Sequence, residues 1–171
     1  GSSALIQARL VGDDRLIWEY VGLADDDAMG KAFIASLHRG STPPERATCP
    51  DLTGQWASAV FNPLKVFADG ARETQADTST VLEVLYQEGC QFHATNTWSS
   101  GTRGGTEQVV GVVSGESGEI TMIEVGPHPE TGSSALIQAR LDSAGRMTWE
   151  YVGLADDDAM GKAFNTRLVK R

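Results

Sequence analysis

The chain has 171 residues, 40% of them hydrophobic, enough to bury one core with some chain left over. A formal charge of −9 with only 14 Lys and Arg argues against a surface that displaces counterions from nucleic acid. The apolar stretches are short and broken by charge or glycine, far below the roughly 20 residues of a membrane-spanning helix, so neither nucleic acid nor a membrane is an expected partner.

The chain opens on a repeat. Residues 1–33, GSSALIQARLVGDDRLIWEYVGLADDDAMGKAF, return 131 positions later as residues 132–164, and six of the 33 positions differ. Four of the six are consecutive, Val11 to Asp14 against Asp142 to Gly145, where a turn is expected. The other two, Leu16 to Met147 and Ile17 to Thr148, fall on opposite faces of a strand, so the core face keeps an apolar residue and the other accepts a polar one. The expectation is a tandem array of β-rich domains: residues 1–40 are the C-terminal three strands of a preceding copy, 41–50 a linker within RGSTPPERATCPD, and 51–171 a complete copy. Because the opening residues lie inside a repeat, their lack of signal-peptide features leaves localisation unread.

From Leu52 onward β-type runs alternate with Gly, Ser, Asp and Asn clusters. Eight strands are predicted, at 53–61, 80–87, 91–98, 106–114, 119–125, 133–141, 146–154 and 162–169. In the last three, Ile137, Ala139, Leu141, Met147, Trp149, Tyr151, Phe164 and Leu168 share a buried face, while Gln138, Arg140, Arg146, Thr148, Glu150 and Arg167 face water. The predicted fold is all-β, an eight-stranded antiparallel up-and-down barrel preceded by three strands left from an upstream copy, with a two-sheet sandwich as the structural alternative. Tight turns near Glu88–Gly89, Gly115–Gly118 and Asp142–Gly145 fall at one end, and long connections at 62–79, 99–105, 126–131 and 155–161 form the mouth. Cys49 and Cys90 fall at the same end on neighbouring strands, which allows a disulfide and equally two free thiols.

Residues 3–10, 15–23 and 31–38 encode the same strands as 133–141, 146–154 and 162–169, and one barrel has room for a single set. The C-terminal set is expected inside, through its short connection to the preceding strand. The apolar face of the other set, with Ile6, Leu10, Leu16, Trp18, Tyr20 and Phe33, should not stay solvated. It is expected either to complete a neighbouring chain's barrel, giving a strand-swapped homo-oligomer, or to pack as an added sheet against the mouth or wall.

Leu52-Thr53-Gly54-Gln55-Trp56 opens the first strand of the complete copy with Gly-x-Trp, and together with the eight strands it resembles the calycins, the lipocalin and avidin group, and more the short avidin-type barrel. The resemblance covers residues 51–171 and implies that Trp56 plugs or lines the barrel and that Trp98, Trp149 and Tyr151 line a pocket. Ala57 and Ser58 follow Trp56 where avidins place an Asn and a nearby Ser, so biotin binding is not carried over. Taken with Asn96, the candidate ligand-binding residues are Trp56, Asn96, Trp98, Trp149 and Tyr151; the same aromatics also suit a filled core.

No catalytic, metal or cofactor motif is present. Asp25–Asp27 and Asp156–Asp158 lack the alternating ligands of an EF-hand loop and read as solvated loops. His38, His93 and His128 have no ligand spacing, and no Gly-x-Ser-x-Gly elbow occurs. Asn96 and Glu124 could pair inside the barrel as an orienting amide and an acid/base, but an outward Glu124 is the expected orientation. The favoured function is therefore a non-enzymatic binding module that takes a small or apolar ligand, or a partner, at the barrel mouth. A small-barrel isomerase or hydrolase is the alternative, and a purely structural repeat the third reading.

Overall fold

The structure, a computed structural model, describes residues 4–12, 15–22, 31–38, 48–126, 134–153 and 159–171. The described residues form thirteen strands: β1 (Ala4–Val11), β2 (Arg15–Gly22), β3 (Lys31–His38), β4 (Gly54–Ser58), β5 (Leu64–Phe67), β6 (Arg72–Thr74), β7 (Thr78–Glu88), β8 (Gln91–Ser100), β9 (Arg103–Val113), β10 (Glu119–Val125), β11 (Ser134–Leu141), β12 (Arg146–Gly153) and β13 (Ala159–Lys170). Among them no helix is long and apolar enough to cross a membrane.

Eight strands close on themselves in the order β4, β7, β8, β9, β10, β11, β12, β13, all antiparallel, with β13 bonded back to β4 through Leu168↔Ser58 and Lys170↔Trp56. Closure removes the unpaired edges that an open sheet would carry. Alternation does the rest: every second residue points inward, so Leu82, Val84, Phe92, Ala94, Val109, Ile120, Met122, Ile137, Met147, Trp149 and Leu168 form one continuous core. One end is plugged by the segment leading into β4. There Trp56 Nε1 donates to Leu52 O (2.7 Å), and the Gln87 carboxamide accepts from Leu52 N (2.8 Å) and donates to Pro50 O and Gly89 O (2.9 Å each). Cys49 and Cys90 are joined across this end as a disulfide, their Cα atoms 5.3 Å apart.

Two predicted connections differ from the structure. Within 62–79 the run Leu-Lys-Val-Phe forms β5, which hydrogen-bonds to the upper half of β13 (Lys162↔Lys65, Ala163↔Leu64) and turns back as β6. Four residues between Pro63 and the Asp-Gly turn were too few to read as a strand from periodicity alone. The 99–105 connection is not long: Ser100 pairs with Arg103 around Gly101, whose φ of 58° suits a two-residue hairpin turn.

The three N-terminal strands form a separate sheet in the order β1-β2-β3. Its register is that of β11-β12-β13 throughout: Ile6↔Tyr20 matches Ile137↔Tyr151, and Leu16↔Leu37 matches Met147↔Leu168. The sheet lies on the outer wall formed by β8, β9 and β10. It packs there through the face opposite to the one expected. Val21 is 0% exposed while its counterpart Val152 is 68% exposed, and Ile6 is 54% exposed while Ile137 is 0% exposed. The contact is Ile17, Glu19 and Val21 against a wall whose outward Val112 and Thr121 are buried, with Arg15 paired to Glu116 at 2.7 Å along the margin. On the opposite, apolar face Ile6, Leu10 and Leu37 are exposed and Leu16, Trp18, Tyr20 and Phe33 half-buried, with no second sheet over it among the described residues.

Thr121 Oγ1 lies 3.1 Å from Glu19 Oε2 and 3.4 Å from Gln7 Oε1, and its one hydrogen serves only one acceptor at a time. A protonated Glu19 donates to the hydroxyl and frees its hydrogen for Gln7. Burial pushes the Glu19 carboxyl above the usual carboxylate range; the Thr121 hydrogen bond opposes this, nearby Glu119 adds to it and Arg9 again opposes it. With the docked pKa raised, the docked form binds more protons, so docking is strongest below the ordinary carboxylate pKa and weakens as pH rises through the raised value. Amide hydrogen exchange of β2 and β3 should accordingly be slower, after correction for the intrinsic rate, at pH 4 than at pH 7, and Glu19→Gln should abolish the difference. For the disulfide, whose cysteines are 41 residues apart, the chain-entropy relation gives about 4 kcal/mol. Cys49→Ser with Cys90→Ser should lower the urea-derived stability of the barrel by about 2–4 kcal/mol.

Candidate functional site

Away from the plugged end the barrel interior changes character. Thr78, Thr80, Asn96, Ser100, Glu107, Glu124 and Thr166 are all buried. Their strands put them inside by parity. On β8 the inward set is Phe92, Ala94, Asn96, Trp98 and Ser100; on β10 it is Ile120, Met122 and Glu124. Glu124 thus points inward, not outward as expected. Its run Glu-Ile-Thr-Met-Ile-Glu-Val mixes polar and apolar residues on both faces, Glu119 and Thr121 with Ile123 on the outer one covered by the N-terminal sheet and Glu124 with Ile120 and Met122 on the inner one, so alternation in the sequence does not reveal the facing.

Asn96 is the centre of the cluster. Its Nδ2 donates to Glu124 Oε2 at 3.1 Å, and its Oδ1 accepts from the Thr80 hydroxyl in a short contact. Thr80 N in turn donates to Ser58 Oγ (2.9 Å). Glu107 is the cross-strand neighbour of Asn96 on β9, so two carboxylates flank one amide inside the barrel. Burying a carboxylate costs several kcal/mol unless charge or hydrogen bonds compensate, so such a group is rarely retained for stability alone. Trp149, fully buried beside Thr166, has an indole Nε1 with no hydrogen-bond partner among the described residues.

Toward the end of the barrel opposite the plug an aromatic group lines the interior. Tyr151 stacks on Phe164 (ring centroids 4.6 Å apart, planes 9° apart), and Phe61 packs against Phe164 at 4.5 Å in a tilted arrangement. Lys162 Nζ lies 5.2 Å from the Trp98 ring centroid and 5.4 Å from that of Tyr151, within cation–π range. Gly105 makes room for Trp98: a Cβ there would lie 3.2 Å from the indole Nε1.

Of the predicted ligand residues, Trp98 and Tyr151 meet at the mouth through Lys162, Asn96 lies within the polar cluster, and Trp149 is buried in the core. Trp56 joins none of them; it belongs to the plug, with Lys170 Nζ 5.5 Å from its ring. Sequence reasoning missed Phe61, Thr80, Lys162 and the inward Glu124. Lys162 carried a signal in its parity with Phe164, but an inward lysine is the rarer reading of such a position. Asp25–Asp27, Asp156–Asp158 and His128 lie outside the described residues. Among those described, no three His, Cys, Asp or Glu side chains are placed to hold a metal, and His93 pairs with Gln108 at 2.8 Å. A groove of about 430 Å³ lies outside the barrel, where Gln7 faces Thr121, Gln138 and Glu150; it is the seam left beside the docked sheet.

No family model matches the sequence, and no curated protein does. Among solved structures the chain is similar to a protein of unknown function of the DUF3598 family from Nostoc punctiforme, with 14% identity and a TM-score of 0.45. That similarity covers 99% of this chain and 66% of the other, so the chain spans just under two thirds of that protein's length.

The cluster makes a ranked prediction. Asn96→Ala removes the amide from Glu124 and an acceptor from Thr80 and should cost about 2–3 kcal/mol. Glu124→Gln keeps a polar partner for Asn96 and should change stability by about 1 kcal/mol or less. Urea denaturation of the two variants measures both; the reverse order would mean that Glu124, rather than Asn96, holds the cluster together.

Proposed function

We propose that the barrel is a calycin-like, non-enzymatic binding module that takes one small, largely apolar molecule through the open end. The observation that carries the reading is the buried Trp149 Nε1, which has no hydrogen-bond partner among the described residues, in an interior that joins an apolar core to the polar Thr80–Asn96–Glu124 chain. Few polar groups set within an apolar concavity are the common composition of small-molecule sites. The ligand's apolar body packs on Trp98, Tyr151 and Phe164, and its polar end reaches Asn96 and the Trp149 indole. Lys162 over the two rings favours a ligand with an acceptor or a negative charge near the mouth. The domain division belongs to the same reading: residues 51–171 are the binding unit and residues 1–40 a remnant of a like unit, joined by 41–50.

One observation favours a second reading. The inward Glu124, oriented by the Asn96 amide, has the arrangement of an acid/base with its positioning group, as an isomerase or hydrolase acting inside a barrel would need.

Two measurements separate these readings from a purely structural barrel. Native mass spectrometry of the protein purified from its own host should show a bound small molecule in 1:1 ratio. Titration with 1-anilinonaphthalene-8-sulfonate, an apolar anion, should show a saturable site that Trp98→Ala and Lys162→Met each weaken by about 10-fold or more, the scale of one lost aromatic or cation–π contact. Trp18→Asp controls for dye on the open face of the N-terminal sheet and should leave that site intact. Binding insensitive to both mouth substitutions would remove the barrel interior as the site.

A further inference from the structure

The core-type face of β1–β3 reproduces the part of the barrel wall that β11–β13 supply, with Leu16 for Met147 and Ala35 for Thr166 as its two differences. The register matches, and so does the aromatic packing: Tyr20 stacks on Phe33 with centroids 4.9 Å apart and planes 5° apart, as Tyr151 does on Phe164. Even the unpartnered indole recurs, since Trp18 Nε1, like Trp149 Nε1, is buried without a hydrogen bond among the described residues. The difference lies in what covers the face. Leu168 is 0% exposed and Leu37 47%, because the first set has no five-strand half over it.

We propose that this face is a barrel-completing surface whose occupant is the five-strand half, β4 with β7–β10, of a second copy of this chain. The pose of the sheet argues for a second copy rather than the same chain. Its Ile17, Glu19 and Val21 face is already buried on its own barrel's wall, and the opposite, core-type face points away from that wall. Both faces are used at once only if the half that closes over the open face comes from elsewhere. Entry into the chain's own barrel would instead strip Val112 and Thr121 of their cover. The completed barrel keeps the mouth, with Trp18, Tyr20, Lys31 and Phe33 in the places of Trp149, Tyr151, Lys162 and Phe164, and loses one interior hydroxyl, Ala35 standing for Thr166.

In the wild-type chain the second copy's own β11–β13 are tethered beside β10 and hold the position. The test therefore disables them. The full-length double variant Trp18→Asp, Trp149→Asp can accept strands but has no usable set of its own. Mixed with wild-type chain, it should form a 1:1 heterodimer by native mass spectrometry and regain amide protection in residues 78–100. Mixed with Trp18→Asp chain, whose donor face is spoiled, it should form none. Trp149→Asp alone, retaining a donor face, should assemble into a homodimer. Absence of the heterodimer, its equal formation with Trp18→Asp chain, or a folded monomeric Trp149→Asp that exchanges strands within itself would each overturn the proposal. Peptides bearing Leu16-Ile17 or Met147-Thr148 tell the two near-identical sets apart in the exchange data.

Discussion

One eight-stranded barrel holds a single copy of the strands that this chain carries twice, and the choice between the copies organises the rest of the molecule. The inward faces do not decide it, since they are almost the same; the outward faces do. In the N-terminal set the outward positions include Ile17 and Ile34, whose counterparts in the C-terminal set are Thr148 and Asn165. A set inside the barrel shows its outward face to water, so Thr148 and Asn165 cost nothing there and two isoleucines would be exposed. A set lying on the wall buries that face, and burying an isoleucine is worth about 2 kcal/mol. Side-chain chemistry thus favours the observed arrangement from both directions, more than the small difference in loop closure does.

The wall is built to match. Outward positions of a barrel strand are ordinarily polar, yet β9 and β10 carry Val110, Val112 and Ile123 there, and Val112 is completely buried by the sheet. Apolar residues on both faces mark a strand covered on both sides. The contact is also more polar than a core, with Thr121, Glu19 and Gln7 sharing hydrogen bonds and an ion pair at the margin. That composition is closer to an interface between folded units than to the interior of one.

Much of this was legible in the sequence, and the failures share a cause. Strand positions followed from alternation: Met147, Trp149 and Tyr151 on β12 and Ile137 and Ala139 on β11 turn inward as the period of two requires. The disulfide was legible only as an allowed pairing, because topology brought Cys49 near Cys90 while two free thiols fitted the same positions. What alternation could not give was facing where both sides of a strand are covered. That hid the inward Glu124, and with it the polar half of the candidate site. It also hid the docking face: the change from Ile17 to Thr148 was readable as tolerance of a polar residue at an exposed position, whereas Ile17 is itself the contact. The two glutamates of this face carry the same lesson.

Glu19 and Glu150 are the same residue in the same repeat, each opposite a glutamine across the strand pair, Gln7 in one sheet and Gln138 in the other. Their immediate sequence and secondary structure are alike, yet Glu150 is exposed and Glu19 is buried against Thr121 with its carboxyl pushed toward the protonated form. Their same-face neighbours differ, Ile17 and Ile34 beside Glu19 against Thr148 and Asn165 beside Glu150, and with them the surface that the outward face meets. On the inward faces, one arrangement of tryptophan, tyrosine and phenylalanine is a core when five strands close over it and an adhesive surface when they do not. A duplicated segment in one chain therefore acts as an internal control: with local sequence held nearly constant, burial follows tertiary placement.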